Sequence, residues 1–154
     1  MPATRHLLIV YHSQSGTTAQ LAAAAHRGAL QEENIEVRLL RAMEASTRDL
    51  LWADGVLFGS PENFGYLSGG LTDFLARTFY PAQPHQLSLP YAAFISAGND
   101  GSGAVRMLER IASGFPLKKI AEPIIVKGVP DQDALQRCEE LGLAVATGVA
   151  LGLF

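Results

Sequence analysis

The sequence predicts a doubly wound three-layer α/β sandwich on a five-stranded parallel sheet, and three observations carry that prediction. Short apolar runs alternate five times with stretches of helical periodicity, and each crossover must then return the chain right-handedly to one parallel sheet with helices on both faces. Runs such as Leu7-Leu8-Ile9-Val10 and Val56-Leu57-Phe58 are apolar at every position, as strands covered on both faces are. The segments after the first, third and fourth runs read HSQSGTT, SPENFGYLSGG and AGNDGSG, so Gly, Ser, Thr and Asn collect where the strands of one sheet would share a rim.

Taken in order, Leu7 to Tyr11 reads as the first strand, and a helix from about Thr17 to Glu33 places Leu21, Ala22, Ala25 and Ala29 on one side. Ile35 to Leu40 alternates as a second strand, Ser46 to Trp52 forms a short helix with Trp52 as a packing residue, and Asp54 to Gly59 is a third strand. Ser60 to Ser68 is predicted to be a loop marked by Pro61 and Gly65. Ser68 then caps a helix whose apolar positions are Leu71, Phe74, Leu75, Thr78 and Phe79, and a loop runs from Pro81 to Pro90. Tyr91 to Ala97 is the fourth strand, followed by a polar turn and a helix through Val105, Leu108, Ile111 and Ala112. The fifth strand is expected uninterrupted over Ile120 to Val126, and Asp131 opens a last helix lined by Leu135, Cys138, Leu141 and Val145.

A single domain is expected over residues 1–154, and a chain of that length can bury a sizeable core. With 48% hydrophobic residues, 18% charged and a net charge of -3, the composition argues against disorder and against a nucleic-acid partner. One cysteine, Cys138, excludes an internal disulfide, a Cys-rich zinc site and an all-cysteine iron-sulfur cluster; it belongs to the core-facing stripe of the last helix. The opening MPATRHLLIVY has too short an apolar run for a secretion signal, which points to the cytoplasm. Leu141 to Phe154 is apolar but shorter than the roughly 20 residues of a membrane span, so a buried helix end or a subunit contact through Leu151, Leu153 and Phe154 explains it. His6, His12, His26 and His85 have neither zinc spacing nor a triad partner, and no metal is expected; His12 reads as a solvated loop residue.

The first turn carries the chemistry. A strand running through His12-Ser13-Gln14-Ser15-Gly16-Thr17-Thr18 into a helix presents free N–H groups, four hydroxyls and a positive dipole end, which together seat a phosphate without any Lys or Arg. An ordinary N-cap is the alternative. In open sheets of this kind ligands bind outside the carboxyl ends of the strands, which brings the second and third Gly-rich loops to the same place. The Walker lysine and the GxGxxG fingerprint are both absent.

YHSQSGTTAQLA, together with DGVLFGSPENFGYLSGGLTDFLART, resembles the flavodoxin-like family, especially its branch of FMN-dependent NAD(P)H:quinone reductases. The resemblance implies strand order 2-1-3-4-5, FMN as cofactor and NAD(P)H as electron donor. It puts the FMN phosphate on Ser13, Gln14, Ser15, Gly16, Thr17 and Thr18, with Pro61, Glu62, Asn63, Phe64 and Gly65 bordering the isoalloxazine and Ala97, Gly98, Asn99, Asp100 and Gly103 closing its other edge. Phe64 and Tyr66 are the aromatic candidates for ring contact. The family branch often has Thr-Arg where this chain has Glu62-Asn63, so an anion is expected where the relatives have a cation, to the disadvantage of an anionic reduced flavin.

Two functions from different classes follow from bound FMN. One is a reductase that takes hydride from NAD(P)H and passes electrons to a quinone-like small molecule, the flavin doing the chemistry with no catalytic side chain. The other is a one-electron carrier between redox proteins. Hydride transfer needs an open flavin face at about 3 to 3.5 Å, and AGNDGSG has no aromatic to cover one; a net charge of -3 is also low for a carrier that docks on basic partners. Both points favour the enzyme. A scaffold that binds no flavin is the third reading.

Overall fold

In the computed structural model, which describes residues 4–154, β1 (Arg5–Tyr11) and α1 (Thr17–Ala29) are followed by β2 (Ile35–Arg41), α2 (Thr47–Trp52) and β3 (Gly55–Asn63). The chain continues through β4 (Tyr66–Leu67), α3 (Gly69–Ala82), β5 (Pro90–Ala97), α4 (Ser102–Gly114), β6 (Lys118–Lys119), β7 (Ile124–Lys127) and α5 (Gln132–Ala150). Part of the N-terminal stretch read for a secretion signal, residues 1–3, lies outside the described residues.

The sheet runs β2-β1-β3-β5-β6, with β4 attached to β3 and β7 to β5, so it has seven strands where five were expected. All pairings are parallel except β3 with β4. The two extra strands have separate causes. β3 runs four residues past Gly59 and turns back at Phe64-Gly65, so that Glu62 pairs with Leu67 and Asn63 with Tyr66 where a loop was predicted. The far edge, expected as one strand, is split: β6 pairs with Pro90 and Tyr91, and β7 with Phe94 to Ala97. Pro123, which has no N–H to give to a ladder, stands in the gap.

Strand alternation divides the core. Leu8, Val10, Val56, Phe58 and Ile95 face α2, α3 and α4, where Leu50, Phe74, Leu75 and Leu108 meet them. Leu7, Ile9, Leu57 and Phe94 face α1 and α5, against Leu21, Cys138, Leu141 and Val145. On that side the two helices touch backbone to backbone: a Cβ on Gly28 would stand 1.8 Å from the Glu139 carbonyl oxygen. The small-residue face predicted for the first helix is thus turned to a helix as well as to the sheet.

Helix ends follow local chemistry. Ser68 Oγ accepts from the Leu71 N–H at 3.2 Å and Asp131 accepts from the Ala134 N–H at 2.8 Å, as N-caps do. α1 stops at Ala29, short of the predicted Glu33, because Gln31 and Glu32 turn to i−3 carbonyls and tighten the last turn. α3 runs through Pro81 into Ala82, so the predicted loop starts later; a proline in the last turn forfeits one ladder bond only. Trp52 lies between the His6 ring, 4.3 Å away between centroids, and the Arg38 guanidinium at 3.9 Å. At the C-terminus Phe154 folds back over Gly148, while Leu151 and Leu153 stay exposed. Among the described residues no helix is long and apolar enough to cross a membrane.

Candidate functional site

The parallel strands β1, β3 and β5 end side by side, and the segments leaving them enclose a cleft of about 340 Å³. Its lining comes from Gln14, Ser15, Thr17 and Thr18 of the first segment, Pro61, Glu62 and Asn63 of the second, and Ala97 and Gly98 of the third. All nine are among the predicted site residues. Ser96, Gly128 and Val129 complete the wall, and sequence reasoning missed them. Gly128 and Val129 belong to the turn after β7, whose N–H at Gly128 donates to the Ala97 carbonyl at 2.9 Å. Only the rule that every strand of the sheet ends at this rim could have flagged that turn.

The first segment combines a glycine bend with unpaired N–H groups at a helix start. Gly16, the N-cap of α1, has φ 102° and contributes no side chain, so the bend requires the left-handed region that glycine tolerates. Ser13 Oγ takes the Ala19 N–H at 3.2 Å, while the N–H groups of Thr17 and Thr18 have no acceptor among the described residues. Thr18 is almost fully buried, and its hydroxyl is hydrogen-bonded to Ser96 Oγ at 2.7 Å, so it braces α1 against β5. The cleft-lining hydroxyls of this segment left without a partner among the described residues are those of Ser15 and Thr17. Ser13 and Gly16 shape the turn behind it.

The second segment is a rigid hairpin. Phe64 and Gly65 both have positive φ, 54° and 77°, the pattern of a tight primed turn. Ser60 Oγ donates to the Pro61 carbonyl and accepts from the Ser68 N–H, which locks the hairpin base. At the cleft mouth Asn63 Nδ2 donates to Gln14 Oε1 at 2.8 Å and links the first two segments. Phe64 is 98% exposed at the tip, and neither it nor Tyr66 lines the cleft.

Glu62 does not present a free anion. One carboxylate oxygen accepts from the Gly101 N–H at 2.9 Å, and the other from Gly103 and Ala104 at 3.0 and 3.2 Å. The expected anion is in place, and the positive end of α4 offsets part of its charge. Gly103 and Gly65 meet at this junction. Asn99 and Asp100 stand on the exposed shoulder of the third segment, outside the lining, and the Ser102 hydroxyl holds the Asp100 carboxyl below its ordinary range.

Among the described residues no Lys or Arg lines the cleft, and no aromatic side chain does. His12, expected to be solvated, instead packs its ring within 2.6 Å of where a Gly70 Cβ would be, with Nδ1 buried and unpartnered among the described residues. Cys138 is buried far from the cleft in the α1/α5 layer, where burial pushes its thiol up to about 11. The arrangement can hold an anion on neutral donors at one end and a flat group between backbone-lined walls, without a general acid or base in place.

Residues 41–117 match the family model described as NADPH-dependent FMN reductase. A flavodoxin of Aquifex aeolicus is 28% identical over 94% of this chain and 87% of its own length. An NAD(P)H dehydrogenase (quinone) of Acidithiobacillus ferrooxidans is 33% identical over 80% of this chain and 70% of its own. Among solved structures, a flavodoxin from the domain Archaea superposes with a TM-score of 0.81 at 24% identity, covering 94% of this chain and 98% of the other.

Proposed function

From the premise that the chain belongs to the NADPH-dependent FMN reductase family of flavodoxin-like proteins, we propose that it is an NAD(P)H-dependent oxidoreductase that reduces a quinone-like small molecule through FMN bound in this cleft. The observation that carries the reading is the start of α1, with the free N–H groups of Thr17 and Thr18 and the Ser15 and Thr17 hydroxyls, opening into a slot that no Lys, Arg or aromatic lines among the described residues.

The residues present fit FMN. A phosphate group matches the neutral donors of the first segment, and a planar ring system matches a slot walled by Pro61 to Asn63 and by Ala97 and Gly98. Bound there, FMN supplies the group that accepts hydride and passes electrons on. The protein's part is to hold, orient and leave access. Gly98 lines the slot without a side chain, and the space its Cβ would take is open to a ligand. With Phe64 and Tyr66 turned outward, no aromatic lid covers the slot, which supports entry of a nicotinamide at about 3 to 3.5 Å from a ring face.

A one-electron carrier is the second reading, favoured by the likeness to the Aquifex flavodoxin over nearly the whole chain. One experiment separates the two. Protein mixed with FMN, desalted and kept anaerobic is given NADH, then NADPH, and its flavin absorbance is followed. Bleaching within seconds supports the reductase. Retained flavin that responds to dithionite alone supports the carrier, and flavin lost on desalting and in an equilibrium titration overturns both.

A further inference from the structure

We propose that Glu62 is a positioning residue of the cofactor site, setting the distance between the two walls that flank the ring; the proposal rests on the FMN reading above. α4 begins at an N-cap, Gly101, that has no side chain to satisfy the helix's first N–H groups. The missing acceptor arrives from the other wall. Glu62 stands 39 residues earlier, in the β3 extension, and its two carboxylate oxygens together take the N–H groups of Gly101, Gly103 and Ala104. A carboxylate on three donors at the positive end of a helix is a charge-assisted contact, stronger than a neutral cap.

A second contact sets how close the walls come. A Cβ on Gly103 would fall 1.9 Å from the Gly65 carbonyl oxygen, so the hairpin tip rests directly on the first turn of α4. Glu62 pulls the hairpin and α4 together, and Gly103 fixes the stop. Pro61, Glu62 and Asn63 line one side of the cleft, while Ser96, Ala97 and Gly98, which lead into α4, line another. A local Ser or Asp cap would have taken one of these N–H groups and left the hairpin untied. The carboxylate also cancels the positive helix end beside the slot. Removing its charge uncovers that end and favours electron density added to a bound ring.

The test uses Glu62→Gln and Glu62→Ala in the full chain. In the protein without flavin, the Gly101, Gly103 and Ala104 amides are expected to exchange about tenfold faster in Glu62→Ala, with Glu62→Gln between, since one oxygen still accepts. FMN and riboflavin affinities should fall together by about tenfold, because the wall spacing acts on the ring they share. The midpoint potential of bound FMN should rise in Glu62→Gln, which a cap serving the fold alone would leave unmoved. Gly103→Ala forces the walls apart from the opposite side and should weaken both flavins in parallel. Unchanged amide exchange, or unchanged affinities and potential in a wild type that binds FMN, overturns the proposal. A wild type that binds neither flavin overturns the FMN reading and the cofactor role with it, while the exchange data still report whether Glu62 ties the walls.

Discussion

Gly142 of α5 lies against Ala25 of α1 so closely that a Cβ on the glycine would stand 1.9 Å from the alanine's carbonyl oxygen. The contact matters beyond the core because α1 begins at the cleft, and its axis is held by α5. Backbone atoms cannot rotate away as a side chain can. Gly142→Ala is therefore expected to force the helices apart and to cost about 2 to 3 kcal/mol, read as a lower urea midpoint with an unchanged slope.

The seat itself predicts a difference between two ligands. Ser15→Ala with Thr17→Ala removes the two unpartnered hydroxyls this segment gives the cleft and should cost about 1 kcal/mol for each hydrogen bond lost to the phosphate. FMN carries that phosphate and riboflavin does not. Titration of both by flavin fluorescence should find FMN weakened about thirtyfold and riboflavin nearly unchanged. Equal losses would remove the phosphate from this turn.

Phe64 holds a left-handed φ of 54° at the hairpin tip while its ring is 98% exposed. Nothing in the fold repays that strain. Phe64→Asn places a residue that tolerates the conformation and should raise stability by about 1 kcal/mol, seen as a higher thermal midpoint. A fall in stability would mean that the ring makes a contact that its exposure denies.

Cys138 supplies a pH dependence. Burial raises its thiol from the ordinary 9.0 to about 11, so in that interval the unfolded chain has lost a proton that the folded chain keeps. Stability from this group is complete below 9.0 and falls as pH rises toward about 11. Urea midpoints measured across that range should decline less in Cys138→Ala than in wild type, after allowance for the cavity. In the native protein at pH 8 the thiol should resist a disulfide reagent until the chain unfolds.

Much of the site was legible because ligand clefts in this architecture follow from strand order, and strand order follows from alternating apolar and helical periodicity. The three segments were found in that way, and Gln14, Ser15, Pro61, Asn63 and Gly98, which the family resemblance picked out within them, line the cleft. Ser96 was not picked out, since a serine inside an apolar strand looks like a core position until its neighbours are known. Phe64, Asn99, Asp100 and Gly103 lie in the right segments but outside the lining, because periodicity locates a loop without saying which way it turns.

By itself the sequence determined the five helices, the cores of the first four predicted strands, and which turns carry hydroxyls and glycine. These are short-range properties, set by side-chain spacing over a few residues and by backbone preferences at single positions. Only the tertiary structure decided that Glu62 closes α4 and that Thr18 turns to Ser96. Each depends on groups far apart in the chain that meet when the sheet closes, and a carboxylate takes whichever uncapped helix end the sheet brings within reach.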